Sequence, residues 1–364
     1  MLRPRKLLLA CAIWLLTHSI IWTLVANFEP SRHPFNMPSM FMYWDAFHYT
    51  AITLNGYFTK VLWAFYPLYP LCVRGFSITT GLRERPEIAG LVFSTLVFAA
   101  FCIMQARLAA SLDTLSGLKP QTMWGWLFFL FSPASWVFHS HHTESLFLLL
   151  SFGALLASRR GRWKTAALLA GLCALTKNQG AVLAIAVAID SALQRKDLRE
   201  RVLVFAGSGL ISFLLFICFP LYQYMKTGDA LAFVHAQASW GVVNSLYGFI
   251  GTLWFANPWQ QGADWFTILH HLFFFLLTAS AIGLLIWNRE VAIAFYIIVS
   301  LWMPLYLGHL QNAFRYGAVL FPALFFLGDN LKRLPKPVRW ILLAALIGLN
   351  LVCTRKYALG EWAY

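Results

Sequence analysis

Apolar runs of about twenty residues recur from one end of this chain to the other, and they constrain it more than any other feature. The segments 7–26, 88–106, 122–138, 143–158, 202–222, 265–287, 291–307, 314–330 and 339–353 are each almost free of charge. A helix rises about 1.5 Å per residue, so a run of this kind matches a hydrocarbon core of about 30 Å. The 364 residues are 60% hydrophobic and 12% charged. Soluble domains carry about a quarter charged residues, so this chain has too little polar surface to cover itself in water. Lipid removes the difficulty if every backbone group is satisfied inside a helix. The expectation is an all-α polytopic membrane protein, a single integral membrane domain over 1–364.

Charge sets the topology. The net charge of +14 would suggest nucleic acid in a soluble protein. Here most of the basic residues fall in short stretches beside apolar runs: Arg3 to Lys6, Arg107 and Lys119, Arg159 to Lys164, Arg195 to Arg201, Arg289, and Lys332 to Arg339. With the N-terminus inside, all of these clusters become cytoplasmic, which is the positive-inside pattern and leaves no call for a nucleic-acid partner. Two shorter runs, 164–176 and 180–193, flank Thr176-Lys-Asn-Gln-Gly180 and carry basic clusters on both outer sides. Thirteen helical residues reach only about 20 Å, so the pair is expected to enter and return as a short hairpin with Lys177 at its tip. One tilted helix through 164–193 is the rival and would break the charge pattern. The stretch 61–81, interrupted by Pro67, Pro70 and Arg74, is placed along the membrane surface. About eleven transmembrane helices result, with a first external loop at 27–87 and a second at 223–264.

The N-terminal run to Ala26 resembles a signal peptide, but it is long for one, and Leu24 and Ala26 make no small-x-small site, so it reads as a retained first helix. The six cysteines are scattered without metal-ligand or CxxC spacing and read as small buried hydrophobes.

Chemistry away from the cytoplasm must draw on few acids. Asp45 sits in Met42-Tyr-Trp-Asp-Ala-Phe-His-Tyr49 and shares a helical face with His48. It suits a general base, and equally a helix cap or an arginine's partner. Glu144 closes His139-Ser-His-His-Thr-Glu144 at a tight external turn, where it suits a helix N-terminus or a substrate contact. Three histidines there invite a metal, but the spacing is not H-E-x-x-H, and no metal is expected. Lys177 and Asn178 at the hairpin tip suit a lipid phosphate or, alternatively, a snorkelling position. His235, Gln237 and Trp240 offer hydrogen bonds and a stacking face to a sugar, and equally fit an interfacial helix. Arg315 reads as a phosphate clamp or an interface anchor.

These residues carry a resemblance. Trp44-Asp45, Gly56-Tyr57 and Ala64-Phe-Tyr-Pro-Leu-Tyr-Pro70 resemble the first luminal loop of the PIG-V family, the second mannosyltransferase of GPI-anchor assembly, and its prokaryotic relatives. Phe131 to Ser135 through Thr143 to Phe147, Thr176 to Gly180, Gly228-Asp229 to Trp240, and Arg315-Tyr316 to Pro322 are similar to later blocks, in the same order. The resemblance implies a GT-C glycosyltransferase fold, a polyprenyl- or dolichyl-phosphate-mannose donor and an inverting transfer, with Asp45 matching the loop acid. The chain is shorter than typical eukaryotic members, and His139-Ser-His-His is not a family feature.

The expected function is a glycosyltransferase moving mannose to a lipid-linked or glycan acceptor on the non-cytoplasmic face. Asp45 is the catalytic residue. Trp44, His48, Glu144, Lys177, Asn178, His235, Gln237, Trp240 and Arg315 bind substrate. The partners are the lipid-phosphate sugar, the acceptor and membrane lipids, and no cofactor is expected. The membrane is a bacterial plasma membrane with the site facing the exterior or, alternatively, the endoplasmic reticulum with a lumenal site. A transporter or flippase of a lipid-linked glycan is the alternative function, and that class often shows duplicated halves, which this sequence lacks. A non-catalytic subunit of a larger complex is a third reading.

Overall fold

A computed structural model describes residues 3–28, 42–110, 117–240, 265–306, 310 and 312–363, and the parts of the two loops at 29–41 and 241–264 lie outside the described residues. The described residues are helical, without strands. Five helices are long and apolar enough to cross a membrane: Pro4–Asn27, Pro86–Leu108, Leu198–Thr227, Trp265–Asn288 and Lys336–Ala358. With the shorter apolar helices Trp163–Ala174, Gln179–Leu193 and Val291–Met303, they make this a multi-pass membrane protein. The chain divides into two units.

The first unit comprises 1–54, 70–149 and 318–364. In it α1 (Pro4–Phe28) packs against Pro86–Ala110 and Lys336–Ala358. Two expected spans are broken here. Instead of one helix over 122–138 there is Met123–Leu130, then a 3-10 turn at Ser135–His139. Pro133 forces the residue before it out of the helical region, which ends the run. The expected span 314–330 is divided as well: Phe321–Asn330, with Pro322 in its first turn, lies in this unit, whereas all but the last residue of Ala313–Ala318 belongs to the second unit. The broken pieces pack closely: a Cβ on Gly328 would lie 2.5 Å from the Trp124 carbonyl oxygen, so the two helices approach at backbone distance. The Asp329 carboxylate accepts from the backbone N–H groups of Gln121 and Thr122, both at 2.7 Å, and so caps Met123–Leu130. Rings of Phe98, Phe101, Phe129 and Phe138 fill the centre, with Phe98 and Phe138 stacked at 4.9 Å.

The second unit comprises 55–69 and 150–317. Trp163–Ala174 and Gln179–Leu193 form the expected hairpin and pack on Leu198–Phe216. A Cβ on Gly180 would fall 2.2 Å from the Cys173 carbonyl, so only glycine allows the two arms to meet directly after the tip. At the far end of the hairpin, Arg159 pairs with Asp190 at 2.9 Å and with Glu290. Ser158 donates to the same Asp190 carboxylate at 2.6 Å. Three helix ends are thereby tied together by one cation between two buried acids.

Candidate active site

Asp45 is the first residue of α2 (Asp45–Asn55), where a carboxylate suits the positive end of the helix. Trp44 immediately before it has φ +55°, an uncommon conformation for a bulky side chain that needs tertiary support. That support comes from the C-terminal stretch. Trp362 meets the Trp44 ring edge-on at 5.0 Å, and Tyr357 meets Tyr43 edge-on at 6.4 Å. Gly360, at φ +73°, turns the chain close under the Tyr43 ring. His48 is half-buried one turn further along α2; burial lowers its pKa, and the Asp45 charge pulls it the other way. Both expected features of the first loop, a shared face and an acid at a helix start, are present.

The histidine segment is buried rather than open. His139 donates from Nδ1 to Thr95 Oγ1 at 2.7 Å, because that hydroxyl's own proton goes to the Leu91 carbonyl. The His139 ring stacks on Trp22 at 4.7 Å. His142 and Ser140 are joined at 2.8 Å, with the serine donating to the Val137 carbonyl. The His141 ring fills the space over Gly90, where any Cβ would overlap it. Burial, with a smaller push from neighbouring histidines, lowers His139 and His141 to about 3. Glu144, fully buried, is the first residue of Glu144–Arg159.

Within the second unit, three separated motifs converge. Lys177 Nζ lies 4.9 Å from the centre of the Tyr316 ring. Asn178 Nδ2 donates to Tyr316 Oη at 3.1 Å, and Gln179 Nε2 to the Tyr316 carbonyl at 3.2 Å. Arg315, the residue before that tyrosine, is buried, as is Lys177. The Leu68 N–H donates to the Leu175 carbonyl at 2.9 Å, which ties the Tyr66-Pro67-Leu68 stretch to the hairpin. The Tyr66 hydroxyl is raised by burial and then by Tyr316 beside it. Lys177, Asn178 and Arg315 thus belong to one corner, and Tyr316 is the residue on which two of them rest. Tyr66 and Tyr316 were absent from the expected site; their signal was adjacency to motif residues, Pro67 and Arg315.

His235 and Asp229 form an exposed pair at 2.7 Å. The His235 hydrogen bond comes first among the causes that lower Asp229, with Lys60 a minor contribution. Their helical stretch is joined to the aromatic cluster of Tyr57, Trp63 and Phe233 through Gln223, which donates to the Trp63 carbonyl and accepts from the Phe233 N–H. Gln237 lies in the 3-10 turn Ala236–Trp240; the Trp240 side chain is outside the described residues.

One buried cation, Lys177, lies over an aromatic ring and a second, Arg315, is buried in the same unit, in a membrane protein of apolar helices. The family described as mannosyltransferase (PIG-V) matches residues 35–330, and the chain belongs to it. The chain is similar to a GPI alpha-1,6-mannosyltransferase 2 of Homo sapiens, 27% identical over 195 residues, which cover 50% of this chain and 39% of the relative. It is also similar to a GPI mannosyltransferase 2 of Yarrowia lipolytica, 24% identical over 225 residues, covering 60% of this chain and 61% of the relative. The chain therefore spans less than two thirds of the length of either relative. No solved structure matches it.

Proposed function

We propose that this chain transfers mannose from a polyprenyl- or dolichyl-phosphate donor to a lipid-linked glycan acceptor, with inversion, on the non-cytoplasmic face. The observation that carries the reading is the Lys177–Asn178–Tyr316 corner beside Arg315, in a chain of the mannosyltransferase (PIG-V) family. In this reading a GT-C bundle of about eleven spans, with 27–87 and 223–264 as its outer loops, is built on the five long helices and the three shorter apolar ones. In a bacterial plasma membrane that face is exterior, and in the endoplasmic reticulum it is lumenal.

Asp45 takes the proton from the acceptor hydroxyl as its oxygen attacks the sugar's anomeric carbon from the side opposite the phosphate. The bond from that carbon to the phosphate oxygen breaks, and its electron pair leaves with the lipid phosphate. Lys177 and Arg315 stabilise the charge that gathers there. Trp44, His48, Glu144, His235, Gln237 and Trp240 shape the sugar and acceptor surfaces. The lipid phosphate brings an activated sugar bond across the membrane, so no nucleotide sugar is needed outside.

The test is purified full-length protein given polyprenyl-phosphate mannose and an acceptor glycolipid. Asp45→Asn is expected to lower turnover by about 10²–10⁴-fold, the usual contribution of a general base. Turnover unchanged in that variant removes Asp45 from its role.

A further inference from the structure

The first unit holds a second cationic feature, apart from the residues assigned to the transfer step. A narrow cleft of about 30 Å³ opens between α2 and the helix Leu68–Thr79, lined by Thr53, Leu54, Arg74, Ser77, Ile78 and Arg83. Two arginines therefore meet at one small opening. Arg85 nearby is taken by Glu87 at 2.8 Å, whereas Arg74 and Arg83 have no acidic partner among the described residues. The turn that brings Arg83 back to the helix is fixed by Gly81, at φ +73°, and by the Leu82 N–H donating to the Ser77 carbonyl at 2.8 Å. On the wall, the buried Thr53 hydroxyl has no hydrogen-bond partner among the described residues. A buried hydroxyl without a partner is a group that an oxygen ligand entering the cleft could satisfy.

The rim identifies the ligand's other half. Leu54, Leu71 and Ile78 are exposed around the arginines, 44%, 61% and 56% respectively. Exposed leucine and isoleucine beside arginine suit the boundary between headgroups and acyl chains, where the stem lies in hydrocarbon and the guanidinium meets phosphate. A free anion would have no use for that apolar border. The cleft has room for one oxygen-sized group, so the phosphate sits at its mouth between the two forks.

We propose that Arg74, Arg83 and Thr53 form a binding site for the phosphate of a membrane lipid, and that in the transfer reaction this lipid is the acceptor. The second clause rests on the transferase reading; the first does not. Thr53 follows Asp45 by eight residues on the same helix, about 12 Å along its axis. A glycolipid anchored by its phosphate at Thr53 would extend its sugars along α2 towards Asp45, and the span corresponds to two or three sugar rings.

The experiment uses the full-length protein in neutral detergent, titrated with dioctanoyl phosphatidylglycerol, with uncharged dioctanoylglycerol and with inorganic phosphate. The phosphatidylglycerol is expected to bind, the uncharged lipid to give no saturable response, and inorganic phosphate to compete only at much higher concentration. The R74Q/R83Q protein should bind the anionic lipid at least tenfold more weakly with an unchanged melting temperature, since both side chains are exposed. Thr53→Val should weaken binding by a smaller factor. In transfer assays the R74Q/R83Q protein should show a raised acceptor KM with donor KM and kcat unchanged. Equal lipid affinity in wild type and R74Q/R83Q overturns the site. Inorganic phosphate binding as tightly as the lipid overturns the lipid assignment, and a raised donor KM overturns the acceptor role. If the wild-type protein transfers no sugar, the transferase reading falls while the binding arm still decides the site.

Discussion

The two ends of the helix Gln179–Leu193 hold their cations in opposite ways. At the Leu193 end Arg159 lies between Asp190 and Glu290, both buried. At the Gln179 end Lys177 lies over the face of Tyr316. A carboxylate pair cancels a cation's charge and ties it to two elements at once. An aromatic ring orients an ammonium through its quadrupole and brings no counter-charge of its own. The first arrangement is a fastening; the second sets a position. The exposed Asp229–His235 pair is a third case, in which surrounding water screens the interaction.

The largest way to break this contrast is Arg159→Met. It removes the cation shared by two buried carboxylates, and losing one partner of a buried ion pair typically costs about 3–5 kcal/mol. Thermal unfolding should show a large drop, while sugar transfer per folded molecule stays at the wild-type level. A variant that melts normally but has lost activity would place this cluster in the function instead.

Tyr316→Leu comes next. A partly desolvated cation–π contact is worth about 1–2 kcal/mol, so donor KM should rise about tenfold, with Tyr316→Phe recovering most of the loss because the ring face remains. In a double-mutant cycle with Lys177→Ala, the combined variant should be little worse than Lys177→Ala alone. Full additivity would show that the ring does not act through the lysine.

The smallest effect belongs to Asp229→Asn. The folded pKa of Asp229 is lowered, so the pair's stabilisation is present above the carboxylate's ordinary pKa and lost as pH falls through the lowered value. The pair is exposed, so melting temperature at neutral pH should scarcely move. Any difference between wild type and variant should vanish in acid. A drop at neutral pH comparable to that of Arg159→Met would end the distinction between exposed and buried pairs.

Much of this was legible in the chain itself. The short hairpin at 164–193 followed from helix length and from basic clusters on both flanks, and the shared face of Asp45 and His48 from their spacing, while the place of Asp45 at a helix start was one of several alternatives. Hydropathy misread 122–138 and 314–330 as single spans, because it counts apolar atoms and is blind to what Pro133 and Pro322 do to the backbone. The histidines at 139–142 looked like a polar external turn; they are buried because Thr95, Ser140, Trp22 and Gly90, from distant parts of the chain, supply partners and space.

Sequence alone determined that the chain must be helical and membrane-embedded, because hydrophobic content and charge placement are properties of the residues regardless of who their neighbours are. It also determined the family, through ordered short motifs. Only tertiary structure decided that Tyr316 is the seat of Lys177, that Trp362 supports the strained Trp44, and that Arg74 and Arg83 share one opening. Each of those joins residues tens to hundreds of positions apart or separated by a turn, and a direction in space is fixed by packing, which no local pattern encodes.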